Sequence, residues 1–384
     1  MQGAPLISVT DKGLYCRAGD FYIDPWRPVA TAVLTHGHSD HARAGSSLYY
    51  AARPGVPILH RRLGTEAEVR PLEYGEPLTL GSSRVSLHPA GHVLGSAQVR
   101  IETAERVWVV SGDYKRDPDP TCAPFEPQTC DVFITEATFA LPVYRWRPTP
   151  EVVGEIHEWW QLNRRQGLAS VLCCYALGKA QRVLAELLAF TNETVYVHGA
   201  VAPIVEIYRQ AGIAMVPTQS VGQAENADKI VSNASETATA TEVAANDGFA
   251  HALASATTDP VDSSAPPRNR KTSRAKRSKI DFSGALILCP PSASGTPWMR
   301  RFGACATGFC SGWMRIRGNR RRQGYDRGFV LSDHTDWPGL LDTIAATGAK
   351  RILATHGYSD ALVRYLREEG RDAAALSTEY GAEE

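Results

Sequence analysis

Three imidazoles and a carboxylate fall within six positions, His36, His38, Asp40 and His41, in the run Thr35-His36-Gly37-His38-Ser39-Asp40-His41. Imidazole and carboxylate are the ligands a zinc-like ion takes in a site built for hydrolysis. A catalytic tetrahedral ion uses three protein ligands and keeps one position open, so four ligands in one short run point to two ions. Further groups of the same kind recur along the chain. Asp24 lies in Tyr22-Ile23-Asp24-Pro25, His92 in Ala90-Gly91-His92-Val93, Asp113 in Ser111-Gly112-Asp113-Tyr114 and His356 in Thr355-His356-Gly357. Alone, a His beside Gly is an ordinary turn residue; the series is what carries weight.

The elements that must position these groups are short strands. Ala32-Val33-Leu34, Arg84 to His88, Ala97 to Ile101, Val107 to Val110 and Val132-Phe133-Ile134 all read as strands, and three of the polar clusters directly follow one. Groups at strand ends sit on loops held by a rigid sheet, where active sites gather. The character changes near position 148. Pro148-Thr149-Pro150-Glu151 reads as a helix start with Thr149 as the cap, followed by a core face of Val152, Val153, Ile156, Trp159 and Trp160. Helices are predicted over 178–190 and 200–211, with strands over 170–174 and 194–197, which makes a second α/β unit. Gln219 to Lys279 is rich in Ala, Ser, Thr, Asn and Pro and reads as a disordered insertion with a basic end. Structure is predicted to resume at Ala285 to Leu288. A strand before Asp333, a helix over 337–347, a strand over 351–354 and a helix after Ser359 follow.

Composition limits the classes. The chain has 384 residues, 43% hydrophobic and 21% charged, enough for two domains. The 41 basic and 41 acidic residues cancel, so any electrostatic signal is local. The eight cysteines show no CxxC pair and read as reduced thiols. No export signal and no membrane-length apolar run is apparent, so a soluble, cytoplasmic protein is expected.

In order and spacing the five clusters resemble the metallo-β-lactamase superfamily, whose αββα sandwich holds two metals at one edge. The resemblance implies that His36, His38 and His92 hold one ion, that Asp40, His41 and His356 hold the other, and that Asp113 bridges them. Asp24 would orient a ligand His, a common role for such carboxylates. Zinc is the expected metal and manganese the second choice. Two more positions, Glu136 in Thr135-Glu136-Ala137-Thr138 and His334 in Ser332-Asp333-His334-Thr335, flank nearly 200 residues of inserted α/β sequence. That arrangement looks like the β-CASP branch, nucleases with a cap domain inserted in the sandwich. The implied domains are 1–139 and 326–384 for the sandwich and 140–325 for the cap, with the insertion inside it. In that branch His334 would protonate the leaving oxygen, held by Glu136.

Four further stretches look like bacterial ligase-associated DNA exonucleases: Gly13 to Cys16, Gly19 to Trp26, Ser311 to Met314 and Gly324 to Phe329. The likeness implies a two-metal phosphodiesterase that trims DNA in repair, with an ATP-dependent DNA ligase and a helicase as partners. Eight arginines against one acid between Arg300 and Arg327 agree with a polyanionic substrate. Arg315, Arg317, Arg320, Arg321, Arg322 and Arg327 are the candidate contacts. The alternatives are an RNA-processing nuclease of the same branch, a small-molecule thioester or lactam hydrolase, and a metal-free scaffold.

Overall fold

The computed structural model describes residues 5–222, 280–316 and 324–379. Six strands build one sheet in chain order: β1 (Ile7–Thr10), β2 (Gly13–Cys16), β3 (Phe21–Ile23), β4 (Thr31–Val33), β5 (Leu48–Ala52) and β6 (Val69–Leu72). β7 (Leu78–Leu80), β8 (Ser83–Pro89), β9 (Ala97–Glu102), β10 (Val107–Val110) and β11 (Val132–Glu136) begin a second sheet. β12 (Ala169–Cys173), β13 (Val195–Val197), β14 (Thr218–Ser220), β15 (Leu286–Cys289), β16 (Cys305–Cys310) and β17 (Arg327–Phe329) form a third, ordered β14-β13-β15-β12-β16-β17 with every pairing parallel. β18 (Arg351–Thr355) and β19 (Asp372–Ala375) return to the second sheet, giving β19-β18-β11-β10-β9-β8-β7. Among the described residues the longer α-helices are α1 (Val56–Leu63), α2 (Thr149–Arg165), α3 (Lys179–Glu186), α4 (Ala202–Gln210), α5 (Trp337–Thr347) and α6 (Ser359–Glu368).

Side-chain alternation sets the layers. Val33 packs with Ile23, Val110 and Ile134 between the first two sheets, whereas Ala32 and Leu34 face the other way, toward Leu59 of α1. On the second sheet, Trp108 and Val110 join that inner core, while Val109 and Phe133 pack against Leu340 and Ile344 of α5 and Leu362 and Leu366 of α6. Helix, sheet, sheet and helix are therefore stacked, the expected αββα sandwich. The third sheet has its own core, with Trp159 and Trp160 of α2, Val183 and Leu184 of α3, and Leu172 and Leu288. Its central strands β12 and β15 are parallel and buried along their whole length, which explains their apolar runs.

Three expectations are corrected. Thr149 does not cap α2: Pro148 occupies the cap position without a side-chain bond, and Thr149 is the first helical residue. Gln219 and Ser220 are not part of an irregular insertion, since β14 pairs them with Tyr196 and Val197; two or three residues of backbone pairing suffice despite polar side chains. The third sheet also runs past position 325, because β17 pairs with β16 through Phe329. Residues 223–279 of the insertion lie outside the described residues. The eight cysteines are free thiols. Among the described residues no helix is long and apolar enough to cross a membrane.

Candidate functional site

The first two sheets deliver their candidate ligands to one edge. Leu34 to His41 leave β4, His92 follows β8, Asp113 follows β10, and His356 follows β18. His36, His38, His92 and Asp113 bring one ligand atom each within 4.8 Å of one another; Asp40, His41 and His356 do the same, as do Asp113, Glu136 and His334. Asp113 thus belongs to two of these groups. Its Oδ2 lies 3.4 Å from Nε2 of both His36 and His41 and 3.8 Å from Nε2 of His92.

Hydrogen bonds to acceptor-only groups fix three tautomers. His92 Nδ1 donates to the Asp333 carbonyl at 2.8 Å, and His38 Nε2 donates to the Leu177 carbonyl at 3.3 Å. His41 Nδ1 donates to Asp24 Oδ2 at 2.7 Å. In the neutral ring the other nitrogen of each then carries the lone pair a ligand needs. Asp24 also accepts from the Thr35 amide at 2.7 Å and the Thr35 hydroxyl at 2.5 Å, which ties the start of the His run to β3. Asp24 and His356 both have left-handed backbones, φ 42° and 62°, a strained state that clusters at functional sites.

The charge state of four of the five candidate ligand imidazoles suits cations, and His41 is the exception. Burial lowers the pKa of His36 and His92 well below the usual imidazole value, and lowers His38 and His356 too, leaving them neutral. Burial would lower His41 as well, but the Asp113 and Asp24 carboxylates outweigh it and raise it. Burial would raise Asp113, yet His41 and His334 hold it well below the usual carboxylate range. Metal fit can be tested on geometry. His36 Nε2 and His92 Nε2 lie 3.0 and 3.1 Å from His38 Nδ1. A tetrahedron with metal–nitrogen bonds of ~2.0 Å has edges of about 3.3 Å. Asp113 Oδ1, buried, has no hydrogen-bond partner among the described residues, so an acceptor is left for an ion. His36, His38, His92 and Asp113 fit one divalent cation, and Asp40, His41 and His356 lie close enough to one another to hold a second.

Glu136 ends β11 and is buried, with Oε1 accepting from the Tyr114 amide at 2.7 Å and Oε2 from His334 Nδ1 at 2.8 Å. Burial works to lower the pKa of His334, but Glu136 and then Asp113 raise it to about 9. Its ring lies 4.7 Å from that of His92, centroid to centroid. A protonated imidazole is thereby held beside the cluster.

Sequence reasoning missed what holds this pair. Arg182 of α3 is fully buried, pairs with Asp119 at 2.6 Å and Asp333 at 2.5 Å, and donates to the Ser332 carbonyl at 2.7 Å. Lys179, one turn earlier, reaches the other Asp333 oxygen at 2.9 Å. Burial would raise Asp333, but Lys179 and Arg182 hold it well below the usual carboxylate range. Asp333 thus fixes its own neighbour His334 and, through its carbonyl, the His92 tautomer. Trp146 holds the far side, donating from Nε1 to the His334 carbonyl at 2.9 Å. The spacing Gly178-Lys179-Ala180-Gln181-Arg182 offered only a basic helix start. Of the candidate arginines, Arg315 donates from Nε to the Val143 carbonyl at 3.1 Å and Arg327 opens β17. Arg317, Arg320, Arg321 and Arg322 lie outside the described residues.

No family model matches the chain. A probable DNA ligase of Opitutus terrae is 26% identical over 366 residues, 95% of this chain and 30% of that protein. Ribonuclease TTHA0252 of Thermus thermophilus is 30% identical over 221 residues, 50% of this chain and 49% of that protein. Endoribonuclease ysh-1 of Neurospora crassa is 33% identical over 148 residues, 38% of this chain and 17% of that protein. The chain therefore spans half or less of the length of these relatives. A crystal structure of a protein of unknown function from Enterococcus faecalis V583 shares the fold, with a TM-score of 0.51, 11% identity, and coverage of 92% of this chain and 80% of that one.

Proposed function

We propose that this chain, a metallo-β-lactamase-fold protein of the β-CASP branch, is a metal-dependent nuclease that hydrolyses phosphodiester bonds, acting as a DNA exonuclease in repair. The third sheet and its helices would be the cap. The observation that carries the reading is the Glu136–His334 pair at 2.8 Å, standing beside the His and Asp cluster. A thioester hydrolase releases a thiolate that leaves without a proton donor, whereas a departing nucleotide oxygen gains from one. His36, His38, His92 and Asp113 would hold one ion, and Asp40, His41 and His356 with Asp113 the other. Two bound cations supply an activated water at neutral pH and a counter-charge for the phosphoryl oxygens.

The chain's own residues do the rest. Asp24, the Leu177 carbonyl and the Asp333 carbonyl aim lone pairs of His41, His38 and His92 into the site. Glu136 keeps a proton on His334, whose Nε2 delivers it to the leaving oxygen. Zinc is the expected metal, with manganese second. The long match to a probable DNA ligase supports DNA as substrate and a ligase as partner, while the match to the Thermus ribonuclease supports the rival substrate, RNA.

Matched DNA and RNA strands labelled at either end, with zinc or manganese added, test this. The expected result is metal-dependent release of mononucleotides from one end of DNA. Preference for RNA would move the chain to RNA processing, and internal fragments would make it an endonuclease. No cleavage of either strand with metal bound would overturn the reading.

A further inference from the structure

Outside the ligand cluster, four arginines converge on one cavity of about 410 Å³: Arg145, Arg147, Arg315 and Arg327, with Glu155 and Asp326 among its walls. The acids do not neutralise it evenly. Glu155 and Glu151 both engage Arg147, at 2.6 and 3.1 Å. Asp326 accepts from the amide and hydroxyl of Thr307, at 2.7 and 2.9 Å. Among the described residues no ion pair engages Arg145, Arg315 or Arg327. Arg315 donates from Nε to the Val143 carbonyl at 3.1 Å, and Arg327 lies 5.1 Å over the Phe329 ring. Cationic side chains that line one concavity repel each other, and an anion with several acceptor oxygens relieves that repulsion while accepting N–H bonds from them.

The cavity is tied to the acid pair by the chain itself. Trp146, between Arg145 and Arg147, donates to the His334 carbonyl at 2.9 Å and from its amide to Asp336 at 2.9 Å. Val330 lines the cavity four residues before His334, which places the cavity wall within about 14 Å of His334 along even a fully extended chain. A stacked single strand carries a phosphate about every 3.4 Å, so this is a reach of roughly four nucleotides or fewer.

We propose that this cavity is a phosphate subsite, holding a phosphate of the nucleic-acid strand a few nucleotides from the bond that is cut. The proposal rests on the nuclease reading and extends it to residues, Arg145 and Arg147, that no basic run in the sequence contains. The phosphate is either a link within the strand or one at its end; the chemistry at the arginines is the same.

The test is binding, measured by fluorescence anisotropy on the full chain without added metal, using labelled single strands of DNA that differ only in carrying a 5′-phosphate or a 5′-hydroxyl. The wild type is compared with Arg145→Gln/Arg327→Gln and with the charge-preserving Arg145→Lys/Arg327→Lys. The Gln pair should bind roughly ten- to a hundredfold more weakly, the loss expected for one charge-assisted contact, and the dependence of log K on log salt should flatten by about 0.7. The Lys pair should keep the wild-type salt slope. An equal loss on both strands means an internal phosphate, and loss confined to the phosphorylated strand means a terminal one. Wild-type affinity and salt slope in the Gln pair would overturn the subsite while leaving the nuclease reading intact. A wild type that binds no strand would sink both.

Discussion

Glu136→Gln should make the reaction pH-sensitive in a way the wild type is not. In the folded protein Glu136 and Asp113 raise His334 to about 9 against the opposing effect of burial. The acid form, the proton donor on the proposed reading, therefore survives in the wild type until pH rises through that value. The amide removes the nearest negative charge and turns an N–H toward Nδ1, so the pKa falls toward the ordinary ~6.5 or lower. A fall of ~2.5 units is about 3 kcal/mol of lost preference for the acid. The fraction of His334 protonated is then nearly equal in the two proteins at pH 6, roughly 30-fold lower in the variant at pH 8, and roughly 300-fold lower by pH 10. Cations held by the neighbouring residues lower both values together, which moves the window and keeps the widening gap. The measurement is the single-turnover cleavage rate of an end-labelled strand from pH 5.5 to 9.5 at saturating metal. A wild-type-to-variant ratio that stays flat across this range would refute the argument, because it would mean that Glu136 only positions the ring.

Three other outcomes are expected. Asp113→Asn removes the carboxylate common to two of the ligand groups, so elemental analysis of the purified protein should show a fall in bound metal, and zinc or manganese added back to chelated protein should rescue the wild type alone. Arg182→Met leaves Asp119 and Asp333 buried without their shared cation and should lower stability by about 3–5 kcal/mol in chemical denaturation, whereas Arg53→Met, at an exposed pair with Glu73, should change it by less than about 1 kcal/mol. Gly112→Ala combines a φ of 56° with a Cβ only 2.6 Å from Thr35 Cβ. Metal affinity, read by competition with a chromophoric chelator, should fall roughly ten- to a hundredfold, the usual effect of disturbing groups that orient ligands. Gly167→Ala, with a similar φ of 69° and nothing near its Cβ, should leave it unchanged.

The candidate ligands that the structure gathers into clusters could be picked out because their signal is local. His36, His38, Asp40 and His41 are close in the chain, and the strand before them alternates Ala32, Val33 and Leu34 between two cores, so type and spacing speak without a fold. Helix α5 was equally plain, with bounds read correctly from Trp337 to Thr347. Short polar strands were not: Thr218–Ser220 is a strand only because Val195–Val197 offers its edge. The support for His334 was invisible for the same reason. Arg182 looks like any cation on an amphipathic helix until Asp119 and Asp333 arrive from 63 residues before it and 151 after it.

The sequence by itself determined which groups can do the chemistry, since imidazoles and carboxylates at strand ends are fixed by residue type and by the period of the strands. Only the tertiary structure decided their protonation and aim. Burial and neighbouring imidazoles lower His92, whereas the Glu136 carboxylate 2.8 Å away raises His334 against the same burial effect. Those neighbours come from segments far apart in the chain, and burial makes each such contact far stronger than it would be in water.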